Sequence, residues 1–187
     1  MPLLLWDASG LAKRYTSEVG RDVANALFTA VPSLVMASTA WGYVETYSIL
    51  LRRLNGGILD MPTFIVAVTA LQNEVVQDPD FVLLTISNSA IFASIAMMRK
   101  HNLNATDAAI LTVFLDYARS PGASKCVLVA ADKRLLRAAG SEGLSTLNPE
   151  ALPVSDVTSF LASLKVATAS PQLRNPRLLL TILIASI

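Results

Sequence analysis

The chain has 187 residues, of which 53% are hydrophobic and 16% are charged, and its formal net charge is +1. This composition excludes an intrinsically disordered protein, and the length fits one domain with one appendage. Because the net charge is close to zero, any contact with a nucleic acid has to come from local groups of Lys and Arg.

Short apolar segments alternate with longer segments of helical periodicity along the chain. The predicted strands cover residues 3–6, 32–38, 81–86 and 126–131, with a brief fifth strand in 144–149. The predicted helices cover residues 11–18, 21–31, 39–54, 60–76, 87–102, 105–120 and 132–143. Since the predicted strands are nearly all apolar rather than alternating, they are expected to be buried on both faces. We therefore expect a three-layer α/β/α sandwich around a four- to five-stranded, mainly parallel sheet.

The last ten residues, LLLTILIASI, carry no charge. As a helix they would span only ~15 Å, about half the hydrocarbon core of a bilayer, so no membrane association is expected. The expectations for this segment are an extra strand, a docked helix, a partner-binding segment, or a sequence foreign to the domain. We divide the chain into a domain at 1–165 and an apolar extension of unknown role at 166–187. The N-terminal MPLLLWD lacks the features of a signal peptide.

The single cysteine and the single histidine narrow the possible chemistry. Cys126 cannot form an internal disulfide, so a reducing cytoplasm is the expected compartment, and we interpret it as a small buried hydrophobic residue. With His101 as the only histidine, a zinc site or a Ser-His-Asp triad lacks supporting residues, and a helix C-terminal position is the better interpretation. No phosphate-binding loop and no GxGxxG turn is present, which argues against ATP and dinucleotide enzymes.

Four acids fall where the predicted strands end or the following helices begin. Asp7 directly follows the first strand and Asp132 follows the fourth. Asp107 lies in the first turn of a helix, and Glu45 lies one to two turns into the helix after the second strand. Ligand sites in open parallel sheets lie outside the carboxyl ends of the strands, so these four side chains are expected to converge on one edge.

Each acid also has a purely structural interpretation. Asp7 and Asp132 are suitable helix N-caps, and Asp107 suits the positive end of a helix dipole. Glu45 is harder to explain, because an unpaired carboxylate in an apolar helix is costly to bury.

Crowded carboxylates raise one another's pKa and are stable together at neutral pH only when cations bind them. An all-oxygen ligand set suits Mg²⁺ or Mn²⁺, and the hypothesis is that Asp7 and its neighbours are metal ligands.

Four segments together resemble the PIN-domain nucleases, most closely the VapC-type toxins of type II toxin–antitoxin pairs. They are LLLWDASGLAKRY, STAWGYVETYSILLRRL, LNATDAAILTVFL and VLVAADKRLLRAAGSEGLSTLNP, and the resemblance covers roughly residues 3–164. It implies a compact parallel α/β/α sandwich and a metal-dependent ribonuclease. It matches the family's four acids, in order, to Asp7, Glu45, Asp107 and Asp132.

The same resemblance places a supporting hydroxyl, Ser9, beside the first acid, where it would orient a carboxylate or a water. Thr106 either supports the third acid or caps its helix. Asp116 follows Asp107 by nine positions, about two and a half helical turns, which directs it to the other side of the helix as a solvated surface acid.

The resemblance further implies hydrolysis of RNA phosphodiesters with Mg²⁺ or Mn²⁺, leaving a 5′-phosphate and a 3′-hydroxyl. It implies a small antitoxin lying across the groove, and a homodimer. Basic residues near the acids are predicted to contact phosphates, with a solvated helix surface as the alternative. These residues are Lys13, Arg14, Arg52, Lys133 and Arg134, with Arg53 and Arg137 beside them. The other functions left open are a non-catalytic PIN-like module that binds RNA or protein, and an RNA-processing nuclease that is not a toxin.

Overall fold

The computed structural model describes residues 2–164, in which five strands form one fully parallel sheet. The strands are β1 (Leu3–Trp6), β2 (Met36–Thr39), β3 (Val82–Leu84), β4 (Cys126–Val129) and β5 (Ser145–Leu147). Their spatial order is β3-β2-β1-β4-β5, so β1 lies at the centre. Trp6 pairs with Ser38 on one side and with Val129 on the other. The predicted four- to five-stranded parallel sheet is confirmed.

Helices connect the strands and cover both faces of the sheet. They are α1 (Ala8–Leu11), α2 (Arg21–Ala30), α3 (Ala40–Asn55), α4 (Met61–Leu71), α5 (Asn88–His101), α6 (Ala105–Ala118), α7 (Lys133–Ser141) and α8 (Val157–Ser163). The prediction of one helix over residues 11–18 is wrong, because α1 is short and tightens into a 3₁₀ turn at Ala12–Arg14. Lys13 and Arg14 form tertiary ion pairs there, and such contacts override weak local helix propensity.

Several other predicted elements differ at their ends. The helix predicted over 60–76 is α4 followed by a π-helical turn at Gln72–Gln77. The strand predicted over 32–38 begins only at Met36, because Ser33–Val35 form a 3₁₀ turn after Pro32.

The core is divided into two apolar clusters by the sheet. Successive side chains of a strand point to opposite faces, so Leu4 and Trp6 enter one cluster and Leu3 and Leu5 enter the other. The first cluster includes Leu27, Leu50, Phe64 and Val157 from α2, α3, α4 and α8, and the second includes Ile110, Phe114 and Leu135 from α6 and α7. The predicted three-layer α/β/α sandwich is confirmed.

The single cysteine and the single histidine both have structural roles. Cys126 is fully buried in β4, and burial raises the pKa of its thiol to about 11, so the thiol is protonated and unreactive at neutral pH. His101 is the last residue of α5 and lies 2.6 Å from a carboxylate oxygen of Glu142.

The predicted boundary at residue 165 and the extension 166–187 lie outside the described residues and stay predictions. Among residues 2–164, no helix has the length and apolar character needed to cross a membrane.

Candidate metal centre

Asp7 lies at the carboxyl end of the central strand β1 and is almost completely buried, with 6% of its surface exposed. Its backbone N–H donates to Val129 O at 3.0 Å, and its side chain caps α1. The Oδ2 atom accepts hydrogen bonds from the backbone N–H of Ser9 at 2.9 Å and from the Ser9 hydroxyl at 2.5 Å. Burial raises the pKa of Asp7, the hydrogen bonds from Ser9 oppose that rise, and the charge of Asp132 adds to it.

Ser9 connects the first acid to the fourth. Its Oγ accepts a hydrogen bond from the backbone N–H of Ala131 at 2.9 Å and lies 3.3 Å from the backbone nitrogen of Asp132. Asp132 follows β4 and caps α7, because its Oδ1 accepts from the N–H groups of Arg134 and Leu135 at 2.7 and 2.9 Å. Both acids at strand ends are therefore N-caps. A cap bond engages one oxygen of a carboxylate, so capping is compatible with binding a cation.

Asp107 is oriented by Asn104, the N-cap of α6. The Asn104 Oδ1 accepts from the Asp107 backbone N–H at 2.8 Å, and the Asn104 amide donates to Asp107 Oδ2 at 2.8 Å. Burial is the main cause that raises the pKa of Asp107 to about 6, and the charges of Asp7 and Asp132 raise it further. The interpretation of Thr106 as the cap is wrong, since Asn104 occupies that position and Thr106 is the second residue of the helix.

Glu45 reaches the same place from α3, which begins directly after β2. The Thr39 hydroxyl accepts from the Gly42 N–H at 2.8 Å and starts this helix at the carboxyl edge of the sheet. Burial raises the pKa of Glu45 to about 7, and the charges of Asp7 and Asp107 contribute to the rise. A hydrogen bond from the Trp41 side chain and the charge of Arg52 act in the opposite direction.

The four acids thus form one electrostatic unit. Asp7 interacts with the other three carboxylates, and Asp107 also interacts with Glu45 and Asp132. Within residues 2–164, none of these carboxylates belongs to an ion pair within 4.0 Å. The site has an excess of negative charge in partly buried surroundings, which is the electrostatic condition that favours a cation.

The residues fit a hard divalent cation by donor type, since every candidate ligand is a carboxylate. In the part of the chain described by the structure, no three His, Cys, Asp or Glu side chains are grouped closely enough to form a ready-made metal cluster. The acids interact through their charges, but those described are not arranged as a preformed metal site.

The basic residues near the site divide into two groups. Lys13 is buried and pairs with Glu18 at 3.1 Å and Glu150 at 2.5 Å. Arg14 pairs with Glu74 at 2.8 Å and lies over the ring of Phe28. These contacts give both cations a role within the fold.

Of the predicted phosphate-binding residues, Arg52, Lys133, Arg134 and Arg137 are exposed, and Arg134 also donates to Asn102 O at 3.4 Å. Arg52 and Arg134 are close enough to lower the pKa of Glu45 and Asp107, respectively, so both lie beside the acids. Arg53 instead pairs with Glu18 at 2.7 Å.

Two residues that support the acids, Ser38 and Asn104, were not predicted from the sequence. Ser38 is fully buried at the end of β2, and its hydroxyl donates to Trp6 O at 2.7 Å, one residue before Asp7. Asn104 was detectable from the pattern NATD, in which an N-cap residue precedes an acid by three positions. Asp116 is exposed and pairs with Arg119 at 3.1 Å, as expected for a surface acid.

A five-stranded parallel sheet between helical layers, with acids at the carboxyl ends of its central strands, is the architecture expected of the PIN-type class of fold. No family model and no curated protein matches the sequence. Three solved structures are similar to the chain over most of its length.

The first is PAE2754 from Pyrobaculum aerophilum, with 15% identity, a TM-score of 0.54, and coverage of 83% of this chain and 95% of that one. FitAcB from Neisseria gonorrhoeae has 13% identity and a TM-score of 0.54, covering 80% of this chain and 99% of its own. FitAB bound to an IR36 DNA fragment has 14% identity and a TM-score of 0.55, covering 80% and 97%. All three are PIN-domain proteins of the VapC type, and the likeness confirms the expected fold.

Proposed function

We propose that the protein is a metal-dependent endoribonuclease and the toxin of a type II toxin–antitoxin pair. The observation that carries this proposal is the electrostatic unit formed by Asp7, Glu45, Asp107 and Asp132. Their carboxylates repel one another, two have a pKa of about 6 or 7, and no ion pair among residues 2–164 neutralises them. Structural acids are usually paired, whereas perturbed and unpaired acids at one edge are typical of a functional site.

These four acids would hold Mg²⁺ or Mn²⁺. When bound, the ions would activate a water and stabilise the leaving oxygen of an RNA phosphodiester, so no protein nucleophile is required. The Ser9 hydroxyl donates to the Asp7 carboxylate and the Asn104 amide donates to the Asp107 carboxylate, so each helps to fix the orientation of its acid. Arg52, Lys133 and Arg134 are exposed and available to contact phosphates flanking the cleaved bond.

The surface supports a protein partner as well. The exposed apolar side chains of α3 and α4 include Val44, Met61, Ile65 and Val66. Contiguous exposed apolar side chains are typical of protein interfaces. We propose that a small antitoxin and a second copy of the chain use such surfaces. The buried, unpaired Cys126 agrees with a cytoplasmic location.

Cleavage assays on Asp107→Asn and Asp116→Asn test the nuclease proposal. Both replacements are isosteric and lie on α6, but only Asp107 belongs to the electrostatic unit. With structured and single-stranded RNA and Mn²⁺, Asp107→Asn should lose more than about a hundred-fold in kcat, and Asp116→Asn should match the wild type. Equal activity of wild type and a folded Asp107→Asn variant, or cleavage that persists in excess chelator, would contradict the proposal.

A further inference from the structure

Trp41 is an exposed aromatic residue at the rim of the acidic site. It lies in the first turn of α3, and 51% of its surface is exposed. The other tryptophan, Trp6, is fully buried. The exposed face of an indole is a flat surface on which another planar group can stack.

The position of Trp41 relative to the acids is defined by the helix. Residues four positions apart lie on the same side of a helix, and Trp41 precedes Glu45 by four positions. The Trp41 side chain also lies within hydrogen-bonding reach of the Glu45 carboxylate. This contact holds the indole beside the site rather than free in solvent.

A phosphodiester at the acids would bring a nucleobase to this rim, because each base is joined to its phosphate through a single sugar. Proteins recognise unpaired RNA chiefly by stacking its bases on exposed aromatic side chains. Bases within a duplex are already stacked on both faces and cannot offer a face to the indole without unpairing.

We propose that Trp41 stacks on a base next to the phosphodiester held at the four acids and so contributes to substrate binding. This inference rests on the proposed nuclease function and names a residue that binds its substrate. Trp41 acts as a binding residue and takes no part in the chemical step.

Substitutions at exposed apolar positions test the inference. Trp41→Ala should raise the KM for a short unpaired RNA roughly ten-fold, and Trp41→Phe, which keeps a ring, should raise it less. Leu34 is 58% exposed in the 3₁₀ turn before β2, and Leu34→Ala should leave the KM unchanged. A wild-type KM in Trp41→Ala would overturn the inference. The inference would also be overturned if both Trp41→Ala and Val44→Ala changed the oligomeric mass and neither changed the KM. That result would assign this face of α3 to a protein contact.

Fluorescence provides a readout that does not depend on cleavage. In an Asp107→Asn background with Mg²⁺, single-stranded RNA should quench the emission of Trp41, while buried Trp6 contributes a constant signal. An oligonucleotide of the same length without bases, or a blunt duplex, should quench little. Equal quenching by the oligonucleotide without bases would overturn the inference. If no RNA is cleaved by the wild type and quenching still depends on the bases, the nuclease proposal fails while the stacking site stands.

Discussion

The Ser9 hydroxyl donates to Asp7 Oδ2 at 2.5 Å and at the same time accepts the backbone N–H of Ala131 at 2.9 Å. One side chain therefore joins the end of β1 to the segment after β4, 122 positions further along the chain. The two strands are neighbours, and this link sets the separation of the acids that follow them.

Ser9→Ala should destabilise the protein by about 1–2 kcal/mol, because it removes the partners of a buried carboxylate and of a partly buried N–H group. Urea unfolding at pH 7 measures the effect. Ser17 is a matched control, since its hydroxyl is exposed and accepts only from Arg21 at 3.1 Å. Ser17→Ala should change the free energy of unfolding little, and an equal loss in both variants would refute the bridging role of Ser9.

The metal-free protein should lose stability as the pH rises from about 4 to 7. The pKa values of Glu45 and Asp107 are raised to about 7 and about 6 in the folded state, from ordinary values of 4.5 and 3.8. The folded protein therefore binds these protons more tightly than the unfolded chain, and the resulting stabilisation is present at low pH and lost as each folded pKa is passed. Melting temperatures across this range, in chelator, measure it. Glu45→Gln should flatten the upper part of the curve, and an unchanged curve would show that Glu45 is not perturbed.

Mn²⁺ or Mg²⁺ should raise the melting temperature at pH 8, since a ligand that binds only the folded state stabilises it. The effect should shrink near pH 5.5, where protons compete for Glu45 and Asp107. Thermal shift against metal concentration checks both statements. Asp7→Asn and Glu45→Gln should weaken the response and Asp116→Asn should preserve it. A response of equal size in all three variants would place the cation elsewhere.

Gly10→Ala should destabilise the protein by about 1–3 kcal/mol, because overpacking against backbone cannot be relieved by a rotamer change. A Cβ at this position would lie 2.5 Å from Val129 O. Gly140 is the control: it lies in α7, and its added Cβ would meet nothing nearer than Thr146 at 4.0 Å. Gly140→Ala should stabilise α7 by about 0.5–1 kcal/mol. Denaturant unfolding of the two variants should give shifts of opposite sign.

The strands were predictable because they follow from local patterns. Continuous apolar runs predict buried parallel strands, and residues after such strands meet at one edge. Asp7 and Asp132 illustrate this, since each directly follows a strand and the two interact in the folded protein.

The roles of the basic residues were not predictable in the same way. Arg14 binds Glu74, which is 60 positions away and lies in a π-helical turn that no local pattern indicated. Lys13 binds Glu150 across most of the chain. Proximity in sequence to Asp7 suggested phosphate contacts for both, but long-range pairing between side chains depends on how helices pack.

The order β3-β2-β1-β4-β5 has a consequence for synthesis on the ribosome. Asp7 emerges early, but its neighbour Asp132 follows β4, which adds to the open side of β1 only after more than two thirds of residues 1–187 have been made. A nascent chain stopped before β4 holds at most three of the four acids and lacks the anchor for Ser9. An amino-terminal fragment that ends before β4 therefore lacks Asp132 and cannot assemble the full set of four acids.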